Sequence, residues 1–386
     1  MYRHSRPQNN GTTVVKIVCA IVFVAFSFLW LYVFQADILA VTQHRLSKGQ
    51  THYDPLWGAL IITAILWLLQ WGVNWAVRLN GRTHSLTWMP SMLVLAVLTS
   101  YSTDSGSPFP SAYWLWLAPV LLLLWVLGVW VARAIRPFER NASRKPVARN
   151  LWGNLLLAAL LITVVAATSN TNAVCHFRAH AETALLRGDN AEALQAGRRS
   201  LETDASLMML RMYALSRQGQ LADRLFEYPL VASSEAMLPT TRAVSLLLYP
   251  ADSLYRYLGA IPRKTMRPMD YLRAIIRSGQ AKAAAVDYLL CGYLIDRRLD
   301  TFARALKQYY TEGDSLPRYY REALILYNHR HSQPVMVYHD PVLDEDYEDF
   351  RKTENQHPQV NERKGKLLET YADSYWFYYD YNTNEP

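Results

Sequence analysis

The side chains best suited to chemistry in this sequence are few, and their spacing argues against the reactions they suggest. His176 and His180 stand four apart, the separation at which two imidazoles share one helix face and hold zinc. The metalloprotease pattern also needs a Glu beside the first His, and Phe177 is there. His329 and His331 sit in a polar break and read as exposed. Asp340, Asp344, Glu345, Asp346, Glu348 and Asp349 have the composition of a calcium loop. Counted from Asp344, however, Asp349 and Asn355 occupy the places of the obligatory Gly and bidentate Glu. That run reads as a solvated linker or the charged start of a helix. Cys19, Cys175 and Cys291 lack the paired spacing of a zinc site. There is no Cys-His-Asn grouping and no phosphate-cradling glycine loop, so the expected catalytic, metal and cofactor sets are empty, and an enzyme is the less favoured class.

Two other groups suggest binding. Thr63, Gln70 and Asn74 fall within about 40° of one another at 100° per residue, beside a stripe of Trp67, Trp71 and Trp75. A polar face of this kind lines a lipid or small-molecule path, or else forms interhelical hydrogen bonds averaging about 0.6 kcal/mol each. Near the end of the sequence, Tyr375, Trp376, Tyr378 and Tyr379 crowd together with Tyr371, Phe377 and Tyr381 after Arg363, Lys364 and Lys366. These rings either cover the end of a helical stack or dock on a headgroup layer or a partner.

The elements that must position these residues follow from hydropathy and charge. The 386 residues are 51% hydrophobic, yet the mean hydropathy is near zero. The average hides a split: residues 1–170 hold 13 Lys/Arg against 4 Asp/Glu, and the remainder 27 against 28. Eleven of the twelve Trp also precede residue 153. Uncharged runs at 17–36, 56–77, 113–132 and 151–168 match the roughly 20 residues that cross a bilayer. The first is preceded by Arg3, Arg6 and Lys16 and lacks a small-residue cleavage site, so it reads as an uncleaved span. A fifth run, 86–101, is short and carries Pro90. Counting it as a span puts the first basic residues, Arg78, Arg82 and the cluster Arg133, Arg136, Arg140, Arg144, Lys145 and Arg149 on one side, facing only Arg45 and Lys48. Lys/Arg bias sets orientation. The expectation is therefore five spans with a cytoplasmic N-terminus. It explains the basic half of the chain by membrane orientation and removes nucleic acid as a partner. No Asp, Glu, Lys or Arg falls inside a run, which weighs against an ion pathway.

After Thr168 the pattern changes to amphipathic helices with short breaks. Phe177 to Arg187 reads as a helix, Gly188-Asp189-Asn190 as a turn and Ala191 to Glu202 as its partner. Gly188 to Leu194, with Ser200, Leu201, Glu202 and Asp204, resembles the turn and second helix of a tetratricopeptide repeat. In that family Ala181, Ala193 and Ser200 would permit close approach and Leu194 and Leu201 would fill the gap, although Gly197 replaces a large aromatic. Weaker copies of the turn stand at Arg217-Gln218-Gly219-Gln220 and Arg277-Ser278-Gly279-Gln280, near one and two repeat lengths further on. Helices are expected at 281–295, 299–310 and 318–327. Cys175 and Cys291 would share an oxidising compartment, where a disulfide between them is one option and buried thiols the other.

Tyr288 to Leu294, Leu316 to Leu324 and the aromatic tail are similar to a family of bacterial multi-pass membrane proteins with a C-terminal repeat-like domain and no assigned activity. The resulting expectation is an all-α protein. Residues 1–170 form a bundle of about five transmembrane helices, 171–335 an α-solenoid of tetratricopeptide-like hairpins, and 336–386 an acidic linker with an aromatic helical tail. Membrane lipids and an envelope protein are its expected partners, with the repeat domain on the periplasmic side of the inner membrane. A membrane-embedded transferase or transporter for a lipid-linked or envelope substrate is the alternative.

Overall fold

A computed structural model describes residues 10–79, 81–101, 112–140, 147–240, 244–310 and 315–382. Arg3, Arg6, Arg144 and Lys145, which enter the orientation argument, lie outside these. Every regular element among the described residues is helical, and the chain divides into two compact units, residues 1–172 and 173–386.

In the N-terminal unit, α1 (Asn10–Leu29) continues into a π-turn at Trp30–Phe34, followed by α2 (Ala36–Leu46), α3 (Pro55–Val77), a 3₁₀ segment (Gly81–Trp88), α4 (Met89–Thr99), α5 (Trp114–Arg140) and α6 (Val147–Thr168). Among the described residues four helices are long and apolar enough to cross a membrane: Thr13–Phe34, Pro55–Val77, Trp114–Ala134 and Val147–Thr168. Their outer faces are apolar, with Trp116 on α5 80% exposed. The expected helix at 86–101 is corrected here. Pro90 starts a helix well but cannot continue one from upstream. The run is therefore a 3₁₀ segment joined to an eleven-residue helix, and the count of long apolar helices is four.

That short element is the buried centre of the unit. His84, Ser85, Thr87, Trp88, Ser91, Met92, Leu95, Ala96 and Thr99 are all buried. Its hydroxyls bind the neighbouring helices. Ser85 N–H donates to Asn154 Oδ1 and Ser85 Oγ to Asn154 O, both at 2.8 Å. Ser91 Oγ donates to Leu66 O at 2.8 Å, and Thr99 Oγ1 meets Ser169 Oγ at 2.6 Å. These bonds fix directions. Ser85 pairs with Asn154 and Thr99 with Ser169, so the element runs parallel to α6 along about 22 Å of it. Gln70 pairs with Thr87 and Leu66 with Ser91, so α3 runs the opposite way. Tyr113 OH donates to Thr168 O, which joins the entry to α5 to the end of α6.

The C-terminal unit contains α7 (Ala173–Leu186), α8 (Asn190–Gln195), α9 (Ala205–Arg217), α10 (Leu221–Arg224), α11 (Ala251–Leu258), α12 (Pro268–Arg277), α13 (Ala283–Ile295), α14 (Leu299–Tyr309), α15 (Arg318–Arg330), α16 (Pro341–Gln356), α17 (Val360–Tyr371) and α18 (Tyr375–Tyr381). Four of its turns are built alike. Bonds from Asp189 N to Ala184 O, Gln220 N to Leu215 O, Gln280 N to Ile275 O and Arg298 N to Tyr293 O each close a helix end over a left-handed residue, the Schellman arrangement. The repeat's regularity stops there, because α8 and α10 have only 6 and 4 residues. The expected second helix, Ala191 to Glu202, is corrected to Asn190–Gln195. Gly197 breaks it: φ is +62°, and a Cβ there would lie 2.5 Å from the Phe177 ring. Arg211 then takes over the broken end, donating to Ala196 O at 3.0 Å and Gly197 O at 3.1 Å. Leu201, expected between paired helices, is instead 88% exposed.

A non-helical segment at 244–249, bent at 247–249, is held by α7. Glu182, fully buried, accepts N–H groups from Leu247, Leu248 and Tyr249 at 2.6 to 2.9 Å. One turn earlier, Arg178 donates to Ser245 O and Oγ at 2.7 Å and pairs with Asp204 at 3.0 Å. Of the two readings of the acidic run, the charged start of a helix is the one found. Asp340 caps α16 by accepting from Val342 and Leu343 N–H, and α16, α17 and α18 pack into the same core as α15.

Candidate functional site

The groove on the C-terminal unit is built by α16 against the end of α15. Tyr347, Glu348, Arg351, Lys352, Asn355 and Gln356 recur at intervals that put two adjacent rows of α16 on one side, and His329 and Arg330 supply the opposite wall. The space between them measures about 730 Å³, within the size range of ligand pockets. Tyr347 is buried, with the His329 ring 4.8 Å away and tilted by 43°. Arg330 pairs with Asp380 at 2.5 Å and lies over the Tyr379 ring at 4.5 Å. Burial pushes the Asp380 carboxyl up from its ordinary value, and Arg330 opposes that shift. Arg351 pairs with Glu354, and Lys352 with Asp349 at 3.9 Å. The Lys352 pair is exposed and weak, while Arg351 and Arg330 are half-exposed over mostly buried carboxylates, so a carboxylate or carbonyl entering the groove meets guanidinium, ammonium and carboxamide donors beside Tyr347, with Glu348 the acidic group in the lining.

The aromatic tail lies next to the groove and is inward-facing. Tyr375 and Trp376 are 0% and 2% exposed. Tyr375 N–H donates to Glu322 Oε2 at 2.7 Å, and Trp376 Nε1 to Glu322 O at 2.8 Å. Glu322 is itself buried and paired with Arg318 at 2.7 Å. Burial pushes the Glu322 carboxyl up, while Arg318 and the Tyr375 amide oppose it. Tyr378 OH donates to Ile295 O at 2.8 Å and its ring lies beneath Arg297. Tyr379 is half-buried beneath Arg330. As docking residues Tyr375 and Trp376 are corrected: their surface is spent inside the core.

The polar face of α3 points into its unit. Thr63 and Gln70 are buried and Asn74 half-buried, while Trp71 and Trp75 face outward. Gln70 Nε2 donates to Thr87 Oγ1 at 3.0 Å. Thr63 Oγ1 and Asn74 Oδ1 have no hydrogen-bond partner. Beside them, sequence reasoning missed the node of Ser85, Asn154 and Cys19, in which Cys19 Sγ lies 3.5 Å from Ser85 Oγ. The signal was available as a polar triplet, His84-Ser85 and Thr87, ahead of an apolar run. His176 and His180 are not brought to a metal: no cluster of three potential ligands occurs among the described residues, and His180 lies 3.4 Å from Glu192. His331 lies 3.2 Å from Asp300. Cys19, Cys175 and Cys291 are buried and not in disulfides, so of the two options for Cys175 and Cys291 the disulfide is not formed.

Residues 263–382 match a family of unknown function, DUF6057. The match contains α12 to α18, both walls of the groove and the aromatic tail. No curated protein and no solved structure matches the chain.

Proposed function

We propose that this chain is a membrane-anchored interaction protein. Five passes hold the C-terminal unit outside a bacterial inner membrane, where the α15/α16 groove receives a segment of another envelope protein. The observation that carries the reading is the groove: an open, donor-rich space falling wholly within the family match, on an all-helical unit. The hydrogen-bond pairing of the short central element supports the fifth pass, since it runs beside α6 from Ser85 to Thr99. Outside placement rests on the Lys/Arg asymmetry of the loops. A photo-crosslinking residue at Arg351 in the full chain is expected to capture a discrete partner in cells, and one at Leu368, exposed on α17, is not. Equal capture at both positions, or none at Arg351, would remove the reading. Reporter fusions at Asn150 and at the C-terminus should report opposite sides.

A second reading has its own support: the interrupted, hydroxyl-rich element at the centre of the N-terminal unit. Irregular backbone at membrane depth occurs only where protein buries it or it lines a cavity, and it suits a transferase or transporter handling a lipid-linked substrate. Replacing Thr63, Gln70 and Asn74 together by Val, Leu and Leu is then expected to abolish the cellular phenotype at normal protein levels. A phenotype that survives the triple change sinks this reading.

A further inference from the structure

At the turn after α8 the sequence pattern and the packing part company, and its side chains are exposed. Helix α8 stops at Gln195 because Gly197 is left-handed against Phe177. The four residues that follow are Arg198, Arg199, Ser200 and Leu201. Both arginines are exposed, and Leu201 is the most exposed large hydrophobic among the described residues. Glu202, also exposed, leaves the turn with one net positive charge. The turn is rigid: Arg211 holds the carbonyls of Ala196 and Gly197, Ser200 N–H donates to Gly197 O, and Glu202 N–H donates to Ser200 Oγ. A fixed turn presenting two guanidiniums and one bare Leu side chain matches a headgroup layer, where phosphates lie above hydrocarbon.

The chain limits how far this turn lies from such a layer. Asn170 is bound to Thr99 O and Tyr101 O at the end of the α6 bundle. Three Cα steps lead from there to Ala173, at most about 11 Å. Phe177, against which Gly197 packs, is one helical turn further, about 6 Å. The connector therefore keeps Phe177, on which the turn packs, within about 17 Å of Asn170, and two guanidiniums beside a bare Leu are complementary to phosphates lying above hydrocarbon.

We infer that Arg198, Arg199 and Leu201 form a lipid contact, with the arginines on lipid phosphates and Leu201 in the upper acyl region. This rests on the reading that the four long apolar helices span the bilayer. The test uses the full chain in nanodiscs of phosphatidylethanolamine and phosphatidylglycerol, with a nitroxide on Leu201→Cys. The three native cysteines are buried. Relative to a label on Leu368→Cys, collision with an aqueous nickel chelate should fall severalfold and collision with oxygen should rise. Equal chelate exposure at the two positions overturns the contact. The Arg198→Glu, Arg199→Glu pair should return the Leu201 label to water, and an unchanged depth overturns the phosphate contact. A label on Leu123→Cys, exposed on α5, separates the two claims. If it too meets the chelate, the spanning reading fails and takes the contact with it; if it is lipid-shielded while Leu201 is aqueous, only the contact fails.

Discussion

Glu182→Ala is expected to lower the stability of the C-terminal unit by about 3 to 5 kcal/mol, the range for breaking a buried charged hydrogen-bond set. The carboxylate is fully buried and is the acceptor for three successive amides, at Leu247, Leu248 and Tyr249. Burial pushes its carboxyl up from the ordinary value, and those three donors together with Arg178 oppose the shift. Alanine leaves each amide without a partner in the protein, and an unmet buried donor costs about 1 to 3 kcal/mol. It also frees the segment whose Leu247 and Leu248 contribute to burial around α7. Glu182→Gln keeps one acceptor oxygen and should recover part of the loss. Thermal unfolding of the detergent-solubilised full chain, followed by near-ultraviolet circular dichroism, reads the effect. At about 2 to 4 °C per kcal/mol for a unit of this size, the midpoint should fall by roughly 10 °C. Small and equal losses for Ala and Gln would mean that the leucines alone hold the segment.

Gly259→Ala should be about as damaging, for a backbone reason. Gly259 ends α11 with φ +154° and ψ −86°, a region that costs other residues about 1 to 3 kcal/mol. A Cβ there would stand 2.3 Å from Gln280 O and 3.2 Å from Ala281 Cα. Neither atom belongs to a flexible side chain. Moving them breaks the bond from Lys282 N to Leu258 O at 2.9 Å, which ties the start of α13 to α11. A combined loss of about 3 to 5 kcal/mol follows from strain plus a broken buried contact. Gly365→Ala is the opposite case: it lies inside α17 with nothing within 4 Å of the added methyl, and should stabilise by about 0.5 to 1 kcal/mol. If both substitutions moved the midpoint in the same direction, the backbone argument would fail.

The sequence made some of this legible and hid the rest for physical reasons. The two faces of α3 follow from a 100° period, so the separation of Gln70 from Trp71 and Trp75 was readable in advance. What Gln70 would meet was not, because Thr87 sits on an element whose hydropathy suggests a plain helix and whose hydroxyls turn it into something else. In the C-terminal half the hairpin turns were readable from Gly188, Gly219 and Gly279. The end of α8 was not: a lone Gly in a helical pattern is usually tolerated, and only the Phe177 ring reveals why Gly197 must break the chain. The bonds of Glu182 join residues 65 to 67 apart, a separation that local periodicity does not carry. The groove was hidden inside the charge run at Asp344 to Asp349, since composition describes the solvent side of α16 and says nothing of the row facing His329.

The short central element of the N-terminal unit also bears on how the chain is made. Eleven helical residues preceded by buried hydroxyls are a poor candidate for entering a bilayer alone. The partner that takes both Ser85 groups, Asn154, comes 69 residues later, and the partner of Thr99, Ser169, comes 70 later. Thr87 and Ser91 have partners on α3 as soon as the segment is made, whereas the Ser85 amide and hydroxyl gain theirs only once α6 has been synthesised. The central hydrogen bonds of the bundle therefore close last at Ser85, when the final apolar helix is in place.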